Sequence, residues 1–327
     1  MTQGQTVIVH YTGTLTDGKK FDLVKTDKAQ FDESSKSLYS EGNVEITMAV
    51  PDDEEDRRSR LLKIHTSGAH FAADTGVATT DQAASFEIEG GGGTSVGADY
   101  DPSKRLLHLH KDVVIDWKGK AANAKPLHVE SGEAMYIEEE SKVMLYPWAK
   151  MRHDALNVEG GASVVTLENS TVKRVESANA KGTQVDPARQ VEFASRQLNI
   201  AFGDKMTVNK VEGAGASKLV SSNRTSRTTV NSDRIDLDFA PVGNQSLLRS
   251  AITFGNSVAE AVPLPRGGVP TADTRILRSD SIHLVMRDGG REIDNADTPG
   301  PATLDFVPNR SGQPKRYLRG DRIWVTY

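Results

Sequence analysis

Apolar and polar residues alternate singly along much of this chain, most clearly in its last hundred residues. Within Ser232–Phe239, the run Arg234-Ile235-Asp236-Leu237-Asp238-Phe239 changes character at every step. The strings Ser279–Met286 and Gly320–Tyr327 behave similarly. A period of two places one set of side chains on one sheet face, so each string predicts a half-buried strand. No stretch carries apolar residues at i, i+3, i+4 and i+7, so little helix is expected.

The first half repeats a second pattern: alanine, any residue, then an aromatic. It occurs at Ala29-Gln30-Phe31, Ala69-His70-Phe71, Ala98-Asp99-Tyr100 and Ala134-Met135-Tyr136. Three of these precede a short polar turn, namely Asp32–Lys36, Asp101-Pro102-Ser103-Lys104 and Glu138–Lys142. A fresh apolar run then begins at Leu38, Leu106 or Val143. Strand, polar turn, strand is a β-hairpin, and proline suits the second position of a type I turn. Recurrence at a spacing of tens of residues predicts stacked, similar layers of antiparallel strands, roughly 25 in all at about 12 residues per strand and turn. Pro51–Arg58 reads as a solvated loop, Gly90–Gly93 as a bulge or bend, and Pro263–Pro270 as a connection between repeats. The spacing loosens near residues 150 to 160, which suggests one unit over 1–155 and a second, continuous with it, over 156–327.

Composition narrows the function. Of 327 residues, 37% are hydrophobic, lean for a thick globular core. A sheet structure needs only every second residue apolar, which resolves the shortfall. Forty basic against 45 acidic side chains leave a net charge of −5, so nucleic acid is not an expected partner. The absence of cysteine excludes disulfides, a thiol nucleophile and a zinc–thiolate site. No apolar run reaches the length of a membrane-spanning helix.

Chemistry is sparse. His108 and His110 share a strand face, but no third ligand stands at a convincing spacing along the chain, so no metal or other cofactor is expected. His65 and His70 flank Gly68 and read as the ends of different elements. Glu138-Glu139-Glu140 is a turn, and no Gly-x-Ser-x-Gly elbow exists. Alternating Asp and Arg, as at Asp233, Arg234 and Asp236, suit outward cross-strand pairs. A non-enzymatic scaffold is expected, with no catalytic residues.

The Ala-x-aromatic, turn, strand, Gly-x-Val pattern resembles the OstA-like superfamily of lipopolysaccharide-transport proteins, which includes LptA, LptC and the N-terminal region of LptD. The strings that carry the resemblance are Lys25–Phe31 through Leu38–Ile46, and Gly97–Pro102 through Leu107–Leu109. The second set resembles the LptC branch, and Ser232–Phe239 and the C-terminal strand look like later OstA-type repeats. The resemblance covers roughly residues 20 to 327.

It implies an all-β, elongated antiparallel β-jellyroll (a β-taco) of repeated hairpins, with two sheets around an apolar groove for lipid A acyl chains. Alternation then nominates Phe31, Ile46, Met48, Phe71, Phe86, Ile88, Leu107, Leu109, Ile235, Leu237, Phe239, Ile282, Leu284, Ile323 and Val325 as the lining. Each of them also reads, more simply, as inter-sheet core without lipid contact, and a one-residue slip would reverse any strand's inward set. The resemblance further implies a Gram-negative periplasmic location, as part of a bridge from inner to outer membrane. Its partners would be lipopolysaccharide, other Lpt components joined by edge-strand addition, and end-to-end copies of itself. Met1–Gln5 shows no secretory signal pattern, so delivery or inner-membrane anchoring would fall to a segment absent from this chain. The competing reading is a structural or glycan-binding surface β-solenoid.

A second resemblance is local. Val7–Asp22 is similar to a strand-turn-strand of FKBP-type prolyl isomerases, in which the matching Tyr11, Phe21 and Asp22 would line a proline pocket. Nothing after Asp22 resembles the helix or the later aliphatic loop of that family. A half-pocket cannot hold a twisted proline, so isomerase activity is not expected.

Overall fold

The computed structural model describes residues 23–26, 28–50, 60–72, 74–88, 91–118, 125–169, 171–185, 187, 189–203, 206–243, 245–265, 271–290 and 292–326. The FKBP-like string, the charged Pro51–Arg58 segment and most of the Pro263–Pro270 connection lie outside them. The described residues form 23 strands and no helix, and every strand pair with an assigned register is antiparallel.

Two compact units divide the chain: Met1–Met151 with Val164–Val172, and Arg152–Ser163 with Lys173–Tyr327. Unit 1 holds β1 (Leu23–Thr26), β2 (Ala29–Asp32), β3 (Ser37–Val50), β4 (Arg60–Ala72), β5 (Ala78–Ile88), β6 (Gly91–Asp101), β7 (Leu106–Trp117), β8 (Leu127–Ile137) and nearly all of β9 (Lys142–His153). Unit 2 holds β10 (Leu156–Gly160), most of β12 (Thr171–Val185), β13 (Arg189–Phe202), β14 (Val208–Asn223), β15 (Ser226–Val242), β16 (Gln245–Phe254) and β17 (Ser257–Pro263). It continues with β18 (Thr274–Ser279), β19 (His283–Met286), β20 (Ile293–Thr298), β21 (Ala302–Val307), β22 (Arg316–Gly320) and β23 (Ile323–Thr326). The short β11 (Ser163–Glu168) falls almost wholly in unit 1.

The hairpin turns sit where the polar strings predict them. Asp32 accepts from Ser34 N at 2.9 Å, and Asp101 accepts from Ser103 N at 3.0 Å. Lys36, Arg105 and Ser141, each just before its second strand, share a left-handed φ near +50°, as a type I turn closed by one αL residue requires.

Long strands serve two sheets at once. The first half of β15 (Ser226–Asn231) pairs with β17, while Arg234–Val242 pairs with β16. One sheet then runs through β16, β19, β20 and β23, the other through β17, β18, β21 and β22. In unit 1, β3 is shared likewise between β1 and β2. Register breaks at the changeover, between Ser40 and Asn43, Thr66 and His70, Thr80 and Ala83, and Ala214 and Ser217. Each bulge bends its strand, and within each unit the bends form a crease joining two sheets.

A bulge strands backbone polar groups, and buried hydroxyls recover them. Ser40 donates to Lys28 O at 2.7 Å, Thr80 to Gly68 O at 2.6 Å, Ser131 to Trp148 O at 2.9 Å and Ser232 to Phe254 O at 2.8 Å. Two threonines repeat one arrangement in unit 2: Ile282 N donates to Thr253 Oγ1, and Ile323 N to Thr298 Oγ1, both at 2.9 Å. Thr298→Val keeps the shape but orphans a buried N–H, so a loss of about 1–3 kcal/mol is expected. Urea unfolding of this variant checks it; an unchanged midpoint refutes the role.

The crease also revises three readings. Ser279–Met286 is not one strand, because β18 ends at Ser279 and β19 begins at His283. Gly320–Tyr327 likewise splits between β22 and β23. The alternation continues in each, but the backbone changes sheet. His65 and His70 both lie on β4, whose bend at Gly68 takes φ +82°.

Candidate functional site

Cross-strand register turns the alternation into rows. In unit 2 one row reads Val175, Ile200, Val211, Leu237, Ala251, Leu284, Ala296, Val325, each the direct partner of the next. It crosses eight strands without a polar side chain. Displaced by one residue, the opposite face reads Asn199, Glu212, Asp236, Ile252, His283, Asp297, Trp324. Here Glu212 takes Lys210 Nζ at 2.7 Å and Arg234 Nη2 at 3.0 Å, while Arg234 Nε donates to Asp236 at 2.7 Å. The Lys210 hydrogen bond holds the Glu212 carboxyl below its usual range, and the Arg322 guanidinium does the same to Asp297.

The second sheet supplies a facing row: Val158, Gly182, Phe193, Leu219, Val230, Ala259, Leu277, Leu304, Leu318. Gly182 belongs there because a β-carbon would lie 2.7 Å from Asn157 O and closer still to the Phe193 ring. The rows meet: Val230 of one packs in a cluster with Leu237 and Ala251 of the other, flanked by Leu219 and Leu284. A second cluster joins Leu277 and Leu304 to Ile282 and Ile323.

Burial is graded along β15, β19 and β23 and their approach to the crease. Beside the crease, Ile235, Ile282 and Ile323 are buried, Ile282 completely. Two residues further out Leu237 remains buried, whereas Leu284 and Val325 are half-buried; Phe239, four residues beyond Ile235, is also half-buried. Around β15, β19 and β23 the inner face is therefore closed at the crease and more open away from it, whereas Val172, Val175, Ile200 and Phe202 of β12 and β13 are buried throughout.

Unit 1 has comparable rows. One reads Ile46, Ile64, Phe86, Gly93, Ile115, Val129. The other explains the repeated motif, for Phe31, Leu38, Phe71, Ala78, Tyr100, Leu107 and Tyr136 are consecutive partners. All four motif aromatics thus share one row. Ile46, Phe71, Phe86, Leu107 and Leu109 are buried. Phe31, on the four-residue β2, is 59% exposed. Burial pushes the Tyr100 hydroxyl up to about 12, helped by the Glu138 carboxylate. The side chains of Met48 and Ile88 lie outside the described residues.

Paired rows of alternating strands on two sheets joined at a crease fit the antiparallel jellyroll that the OstA-like resemblance implies. Residues 14–118 match the family described as lipopolysaccharide-assembly, LptC-related. Over that stretch, about a third of the chain, it is similar to the LptC-related family. No curated protein matches the chain. The matched segment carries three of the four Ala-x-aromatic motifs and the hairpin turns at Asp32 and Asp101. The likeness is to a family described by lipopolysaccharide assembly, and it is confined to those residues. Among the described residues no helix is long and apolar enough to cross a membrane.

Sequence spacing missed one cluster. Asp99 of β6 is the cross-strand partner of His108 on β7, and its carboxylate bonds to His110 Nε2 at 2.8 Å. The third group beside the histidine pair comes from the neighbouring strand. Only the register brings it there.

Proposed function

We propose that this chain binds lipopolysaccharide by its acyl chains, held between the inner apolar faces, as part of a periplasmic bridge from inner to outer membrane. The observation that carries this reading is the eight-residue apolar row of unit 2, in which Leu284 and Val325 are half-buried two residues out from buried Ile282 and Ile323. A row without hydrogen-bonding side chains suits a ligand recognised by methylenes, each worth about 0.8 kcal/mol when buried. It also lets a chain slide between equivalent positions. The LptC-related match supports the same reading. Leu237, Phe239, Leu284 and Val325 are the proposed lipid contacts in unit 2, and Ile235, Ile282 and Ile323 the core that supports them. In unit 1, Phe71, Phe86 and Leu107 belong to the proposed lining. Other Lpt components, or further copies, would join by strand addition. The fully exposed β22, laddered to β21, is the edge best placed for it.

A photo-crosslinking amino acid installed in turn at Phe239, Leu284 and Val325 tests the groove in cells. Cross-links to lipopolysaccharide are expected there and not at Asp238, His283 or Trp324. Equal labelling of both sets would overturn it.

A further inference from the structure

We propose that Asp99, His108 and His110 form a binding site for a divalent transition metal, with zinc the natural occupant. The three lie on the face opposite buried Leu107, Leu109 and Ala98, away from the apolar rows. Each offers a ligand atom, and these atoms lie within 4.8 Å of one another. Tetrahedral zinc with bonds near 2.0–2.1 Å needs donors about 3.3 Å apart, so closure asks for side-chain movements of at most about 1.5 Å. Two imidazoles and one carboxylate are a borderline-hard donor set that suits zinc rather than magnesium or calcium.

The surroundings are organised for this role. Gly97 takes φ +82°, and a β-carbon there would fall 2.6 Å from His110 Nδ1, so this glycine makes room for the ring. The two rings meet edge to face at 4.7 Å between centroids. Glu133, from β8, hydrogen-bonds to His108 Nε2, a carboxylate–imidazole pairing that fixes the orientation of a ligating ring. A metal would thus tie β6 to β7, with β8 bracing it. The second histidine–carboxylate group, His128 with Asp116 and Glu130, contains a single imidazole and serves as an internal control.

The test uses the full chain stripped with chelator, titrated with zinc by calorimetry and with cobalt(II) by visible absorption. One equivalent of zinc and the intense d–d bands of tetrahedral cobalt are expected for the unmodified chain and for H128A. D99N and H110A should lose both. E133Q should weaken zinc binding by about 10–100-fold, as loss of an orienting partner does. Circular dichroism melts without metal show whether each variant is folded. The cobalt spectrum of the unmodified chain decides independently of any variant. Absence of tetrahedral bands, undiminished binding by folded H110A, or equal loss in H128A would overturn the site.

Discussion

Gly93→Ala is expected to destabilise unit 1 by about 3 kcal/mol, the upper end of ordinary overpacking. Gly93 is the third residue of β6, with an extended backbone, between Phe86 of β5 and Ile115 of β7. A β-carbon there would fall 2.6 Å from Phe86 Cζ and closer still to the Val114 carbonyl oxygen. The ring could swing aside, at the loss of a buried packing position. The carbonyl cannot, because it belongs to the neighbouring strand. Relief therefore requires β6 and β7 to move apart where Val114 and Ile115 are paired. For a unit of this size, 3 kcal/mol lowers the midpoint of thermal unfolding by roughly 6–12 °C. Gly300→Ala, where a β-carbon meets nothing within 4 Å and φ is ordinary, should change it little. Calorimetric scans of both variants check this, and equal midpoints would refute the close-approach role.

The same position shows how far the sequence could be read. Four successive glycines suggested a bulge or bend, because glycine tolerates unusual backbone angles. Three of them lie in β6 for a different reason: β-carbons at Gly91, Gly92 and Gly93 would each strike a backbone oxygen. Phe86 lies across Gly93 as Phe193 lies across Gly182. Glycine opposite phenylalanine on neighbouring strands is a signal the chain does carry, visible only once register is known. The Ala-x-aromatic motif behaved better, because a two-residue spacing survives translation into a strand. It predicted the hairpins at Asp32, Asp101 and Glu138. It could not reveal that Phe31, Phe71, Tyr100 and Tyr136 share a row.

The crease was the least legible feature. A strand that changes sheet keeps its alternation, so Ser279–Met286 looks continuous although Asp280–Ile282 leave the ladder. The clue lay in small hydroxyls placed where an apolar residue would fit the pattern. Thr66-Ser67-Gly68 and Ser95-Val96-Gly97 each set a buried hydroxyl two residues before a glycine of φ +82°. The Asp99–His108–His110 group was hidden by the same limit. Spacing along one strand identifies two ligands, while the third depends on which residue lies across the ladder.

Phe239→Asp is expected to cost lipopolysaccharide binding far more than stability, and Ile282→Ala the reverse. Both side chains belong to the inner faces, but they stand at different depths. Ile282 is completely buried beside the crease, packed with Leu277, Leu304 and Ile323. Its truncation leaves a cavity and should cost about 2–5 kcal/mol, while the surface offered to an acyl chain is unchanged. Phe239 is half-buried, flanking the cluster of Val230, Ile235 and Leu237 rather than sitting within it. An aspartate there can reach solvent, so folding should lose little more than about 1 kcal/mol. A lipid chain, however, would lose about 2–3 kcal/mol of apolar contact and meet a charge, weakening binding by roughly 30–100-fold or more. Lipopolysaccharide co-purification normalised to folded protein, set beside urea unfolding of the two variants, separates these outcomes. If binding tracks stability in both, the inner faces are only a core, and the groove reading fails.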